Sequence, residues 1–116
     1  MVDAWIKEIK ASTDPEELGM LLVHNGVVRA TSKAGKPVKS MKLSYDSKML
    51  EAAVKEMKGR EGIVEVKAWL NRGQLKIGDD IMFLLVAGRF RTDVLPVLQE
   101  LLTTIKTKIV REEEVL

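Results

Sequence analysis

The chain has no cysteine, which removes disulfides, thiolate metal ligands and cysteine nucleophiles together. It has a single histidine, His24, set among Leu22 and Val23. A metal site takes several ligands, so a lone imidazole in such a setting reads as structural and no metal or other cofactor is assigned. Aromatic residues make up only 4% of the chain, too few to build a stacking platform for a nucleic-acid strand. The net charge of +2 falls short of the concentrated basic face of nucleic-acid-binding domains, so no nucleic acid is expected as a partner. Long apolar runs are missing too: residues 20–23 and 81–87 are the longest, far below the ~20 needed to cross a bilayer. Asp3, Lys7, Glu8 and Lys10 interrupt the N-terminal region, unlike a signal peptide. No membrane association is expected, and the location expected is cytoplasmic. The HExxH, GxSxG and Walker patterns are also missing.

What is present is ordinary globular material: 116 residues, 46% apolar and 31% charged, enough to bury one core. A single domain over residues 1–116 is expected. Trp5, Ile6 and Ile9 fall at helical spacing after Asp3, a candidate cap, and Asp14 followed by Pro15 is a second, one-turn helix start. Residues 20–29 read as a strand, with Gly26 marking a bulge. An exposed loop at 32–37 leads to a second strand ending at Tyr45. Met49, Leu50, Ala53, Val54 and Met57 form one stripe of a helix over 47–58, which Ser47 can cap. A third strand covers 63–70, a short segment surrounds Leu75, and the continuous apolar run 81–87 predicts a central strand covered on both faces. Thr92 or Asp93 caps a last helix with Pro96 in its first turn. Residues 109–116 are a fraying end, a terminal strand or a segment that docks on a partner. This order predicts an α+β fold, a mixed or antiparallel sheet with helices packed on one side.

The candidate chemistry is cationic. Arg29 stands at a strand end, Arg89 and Arg91 at a strand-to-helix junction, and Lys106 near the end of the final helix. Such cations converge on a phosphate or a terminal carboxylate, or else are solvated surface charges. Lys33, Lys36, Lys39 and Lys42 gather around the first loop, and Glu112, Glu113 and Glu114 make an acidic end that reads as solvated surface.

Several segments resemble a known family. The run from Gly19 through Gly26 to Arg29 looks like the first strand of the large subunit of molybdopterin synthase, where Gly, an apolar run, Gly, two residues and Arg recur at this spacing. Leu43, Tyr45 and Met49 resemble the strand and helix start that follow. Gly73, Leu75, Gly78 and Asp79 are similar to its G-x-L-x-x-G-(D/E) segment, Arg91 falls where it has the Arg of an Ala-His-Arg run, and Lys106 falls where its final helix ends in Leu-Lys. The resemblance implies a homodimer whose protomers each bind a ubiquitin-like small subunit bearing a C-terminal thiocarboxylate. Sulfur then passes to a pterin phosphate substrate, cyclic pyranopterin monophosphate. By the same resemblance Lys106 is the catalytic lysine, and Arg29 and Arg91 bind substrate, Arg91 across the dimer interface. The chain departs from the pattern at Phe90, where the family has His, and at Arg111 to Glu114, where the family has a second lysine after an aromatic residue. Lys108 or Arg111 is the candidate stand-in for that lysine, and His24 occupies the usual place of an aromatic. Two activities follow from the resemblance: sulfur transfer, or non-catalytic binding of a ubiquitin-like protein or a pterin-like anion.

Overall fold

The computed structural model describes residues Met1–Leu116. In chain order it contains α1 (Val2–Ser12), β1 (Met20–Val27), β2 (Ser40–Tyr45), α2 (Ser47–Lys58), β3 (Ile63–Leu70), β4 (Gly73–Lys76), β5 (Asp80–Gly88), α3 (Arg91–Thr104), a π-helical turn (Ile105–Ile109) and β6 (Val110–Val115). The strands form two antiparallel sheets, ordered β1-β5-β3 and β4-β2-β6. The α+β expectation holds, and of its two alternatives the sheets are antiparallel.

The apolar run of β5 is explained by its place in the middle of the first sheet. Met82, Leu84 and Val86 point into the main core, against Leu50, Ala53 and Met57 of α2 and Val94, Val97, Leu98 and Leu101 of α3. Leu85 and Ala87 point the other way, against Ile9 of α1, with Trp5 and Ile6 beside it. Each of the Val, Leu, Ile and Met side chains among them stabilises the fold by roughly 1.5–3 kcal/mol when fully buried. The expected packing of helices on one side therefore holds for α2 and α3, while α1 covers the opposite face of the same sheet. Sequence order alone does not separate these faces; the alternation along β5 does.

In the second sheet β2 alternates, with Met41 and Leu43 buried and Lys42 and Ser44 exposed. Strand β6 pairs with it, placing Glu112 opposite Leu43 and Glu114 opposite Met41. Directly opposed residues of an antiparallel pair point to the same side. Two carboxylates thus lie on one side of this sheet, and the acidic end is a terminal strand in which Glu112 is partly buried while Glu113 and Glu114 are solvated.

Several local readings are corrected. Asp46, not Ser47, caps α2, its carboxylate accepting from the backbone N–H of Lys48 at 3.0 Å and of Met49 at 3.1 Å. Helix α3 starts at Arg91 with Phe90 as its uncapped N-terminal residue, because Asp93 is instead drawn to Arg89 at 3.4 Å. Pro96 consequently sits in the second turn, where its missing N–H leaves the exposed Thr92 carbonyl without the usual donor. Asp3 lies inside α1, which has no side-chain cap, and Asp14 forms a turn by accepting from the N–H of Glu16 at 2.9 Å. Gly26 does mark an irregularity, as the β1 register shifts between it and Val27.

Candidate functional site

The elements that matter meet where the two sheets join. Chain emerging from β1 carries Arg29 and Thr31, and the following loop carries Lys33. Ile81 is the second residue of β5, Met41 comes from β2, Lys106 from the π-helical turn, and Glu112 and Glu114 from β6. Together with Val27 these residues line one cleft of about 270 Å³. Its floor is apolar, formed by Val27, Met41 and Ile81, and its charged groups stand around that floor.

Lys106 owes its position to the end of α3. There the helix widens into a π turn, and the Thr107 hydroxyl donates to the Thr103 carbonyl at 2.7 Å. Ile105 and Ile109 on the same turn are buried and anchor it in the core, whereas Lys106 points outward. Single π turns of this kind recur at functional sites because they re-aim a side chain within a helix. The Lys106 ammonium donates to Glu112 at 3.1 Å. Arg29 is exposed and donates to the Thr31 hydroxyl at 3.0 Å, a local contact that leaves the rest of its guanidinium fork free for an anion.

Of the three residues singled out from sequence, Arg29 and Lys106 share this cleft; Arg91 does not. Because β1 runs antiparallel to β5, Arg29 follows the end of β1 that faces Asp80, while Arg91 follows Gly88 at the other end of β5. A strand of that length separates the two ends by about 26 Å. The helix running from Arg91 to Lys106 covers about 22 Å. Arg91 is exposed and forms no ion pair. Arg89 is held by Asp93 at 3.4 Å and Glu61 at 3.8 Å, and lies over the exposed ring of Phe90. It is a structural cation. Neither candidate stand-in lines this cleft: Arg111 faces outward beside Lys42, Ser44 and Glu113 in a separate hollow of about 380 Å³, and Lys108 is exposed.

His24 lies on β1 two residues before Gly26, with its ring nitrogen near the space that a Gly26 side chain would fill. Partial burial, and secondarily the positive charge of Lys106, hold its pKa below the ordinary value. It makes no hydrogen bond within the chain, and the nearby Lys106 charge disfavours its protonated form.

Sequence reasoning missed Glu112 and Glu114 as site residues, although a signal was there. If 110–115 is a strand, the i, i+2 spacing puts both on one face.

The family model described as MoaE protein matches residues 2–108. None of the curated proteins matches the chain. Among solved structures, the chain is similar to molybdopterin synthase from Staphylococcus aureus at 18% identity and a TM-score of 0.77, covering 95% of this chain and 82% of that one. A MoaE protein of molybdopterin biosynthesis from Burkholderia ambifaria gives 22% identity and a TM-score of 0.77, covering 99% and 82%. A protein–protein complex of subunits 1 and 2 of molybdopterin-converting factor from Helicobacter pylori gives 17% and 0.76, covering 97% and 74%. At these identities the likeness establishes a shared fold.

Proposed function

The chain belongs to the MoaE protein family, and on that premise we propose that it acts in molybdenum cofactor biosynthesis as a large subunit of molybdopterin synthase, moving sulfur from a thiocarboxylated ubiquitin-like small subunit to cyclic pyranopterin monophosphate. The observation that carries this reading is the convergence of Arg29 and Lys106, distant in sequence, on one cleft with an apolar floor. A small-subunit partner is supported by the Helicobacter pylori relative, whose structure is a complex of two subunits.

The roles follow from the groups present. Arg29 offers a planar fork suited to carboxylate or phosphate oxygens. Lys106 places a mobile ammonium with three donors on the same cleft, where it neutralises charge that develops as the acyl–sulfur bond is broken. Removing one donor of this type from a reaction centre typically costs about 10²–10³ in rate.

The cleft is also small. Its 270 Å³ lies below the roughly 300–1,000 Å³ of complete ligand pockets, room for a narrow peptide end or one anionic group. The rest of the site then comes from a second copy, and Arg91 is the residue it contributes. That arrangement makes a homodimer part of the proposal and gives the exposed, unpaired Arg91 a role that a lone protomer cannot provide.

The test is reconstitution. The purified chain, a thiocarboxylated small subunit and the cyclic precursor are combined, and the dithiolene product is measured. Product that disappears with Lys106→Ala is the expected result. Capture of the small subunit with no product from the unsubstituted chain would reduce the protein to a non-catalytic binder, and absence of both would end the proposal.

A further inference from the structure

We propose that Glu112 and Glu114 are specificity-determining residues of the cleft, fixed counter-charges that fit it to a ligand carrying one negative charge and weight it against multiply charged anions. The inference rests on the assignment of this cleft as the ligand site, and concerns which ligand part occupies it.

The argument begins with the pleat. On the inward face of the second sheet, β2 places Met41 and Leu43, and β4 places Leu75, all buried. Strand β6 completes that face with Glu112 and Glu114, registered against Leu43 and Met41. Glu112 is partly buried, where a carboxylate is costly to desolvate unless it meets a cation or water, and Glu114 is exposed. Here they border the cleft and face Arg29, Lys33 and Lys106 across it. Glu113, between them, points to the outer face beside Lys42 and Arg111. The same strand thus presents two carboxylates to the cleft and one away from it.

The pair formed with Lys106 is asymmetric. The Glu112 side chain is 26% exposed and the Lys106 side chain 47%, at a separation of 3.1 Å. Glu112 is fixed by a strand laddered to β2, whereas Lys106 ends a flexible stem. An arriving anion therefore shares the ammonium with Glu112 rather than displacing a free partner. Glu114 is exposed and forms no ion pair of its own, so its charge acts on the cleft through solvent. Three cations against two carboxylates leave one protomer's part of the cleft with one net positive charge. A single carboxylate or thiocarboxylate at a peptide end meets that charge. A group with several charges meets repulsion from both glutamates, and the repulsion grows with each ligand charge.

This scaling gives the test. Neutralising both glutamates helps every anion, but in proportion to its charge. With charges several ångströms apart at a solvent-lined site, each charge pair changes affinity by about twofold to threefold. N-acetyl-Gly-Gly with a free carboxylate and inorganic pyrophosphate are titrated into the full chain, following the backbone amides of Arg29 and Lys106 by NMR. For E112Q/E114Q the expected gain is about fivefold for the peptide and on the order of a hundredfold for pyrophosphate. E113Q removes one formal charge from the outer face, and is expected to leave both affinities within about twofold. E114Q alone breaks no ion pair, and carries the test if loss of Glu112 disturbs β6. Equal gains for the two ligands, the same gains from E113Q, or no binding by any form would each overturn the proposal. Failure of sulfur transfer in the reconstituted system is a separate outcome, since these titrations read binding alone.

Discussion

Two neighbouring residues of the π-helical turn should separate stability from function. Ile105 is completely buried in the main core, and Lys106 stands outside it with its side chain 47% exposed. Truncating a buried isoleucine to alanine costs about 2–5 kcal/mol, through lost transfer energy and the cavity left behind. For a domain of this size, where 1 kcal/mol shifts the midpoint by about 4 °C, Ile105→Ala should lower Tm by about 8–20 °C. Lys106→Ala removes only a solvent-screened ion pair worth about 0–1 kcal/mol, so its Tm should fall by no more than about 4 °C. Activity should rank the other way. Measured well below both midpoints, Ile105→Ala should transfer sulfur within about tenfold of the unsubstituted chain, and Lys106→Ala should lose about 10²–10³. Calorimetry and a single-turnover transfer assay read the two effects on the same preparations. A Tm loss for Lys106→Ala as large as that of Ile105→Ala would make the lysine structural, and a transfer loss below about tenfold would remove it from the reaction.

Two further expectations follow. If Arg91 acts across a dimer, Arg91→Ala and Lys106→Ala chains, each inactive alone, should recover about a quarter of full activity after mixing and re-equilibration, because half the dimers then hold one intact site; no recovery would place both residues in one protomer's site or exclude Arg91. His24 is held below its ordinary pKa of 6.5 by burial and by Lys106, so the unfolded chain takes up its proton first as pH falls. Its contribution to stability is therefore constant above pH 6.5, and declines as pH drops from 6.5 through the folded-state value. Thermal midpoints of His24→Leu should fall less steeply with acid across that window, and parallel curves would contradict the assignment.

The helices and strands were readable because their periodicities are unambiguous: the stripe of α2 ends at Lys58 as expected, and the apolar run of β5 named the central strand. Element ends were less legible. Asp46 and Ser47 are both good caps, and only the backbone turn decides between them. The competition of Arg89 for Asp93, which leaves α3 uncapped, depends on a contact that spacing does not reveal. Arg29 and Lys106 were found as candidates, but the separation of Arg91 from them follows from the direction of β1 against β5. A like-charge run such as 112–114 reads as surface, and the placement of Glu112 and Glu114 beside the cleft depends on the register of β6 against β2, which lies in no single stretch of sequence.

Whether Arg29 and Lys106 act on one ligand is tested most directly by a double-mutant cycle on kcat/KM for sulfur transfer, with Arg29→Ala, Lys106→Ala and the double variant. Two groups that hold the same anion should be coupled by about 1 kcal/mol or more, the double variant losing less than the sum of the single losses. Losses that add within about 0.5 kcal/mol would show the two cations acting independently, and would contradict the shared cleft.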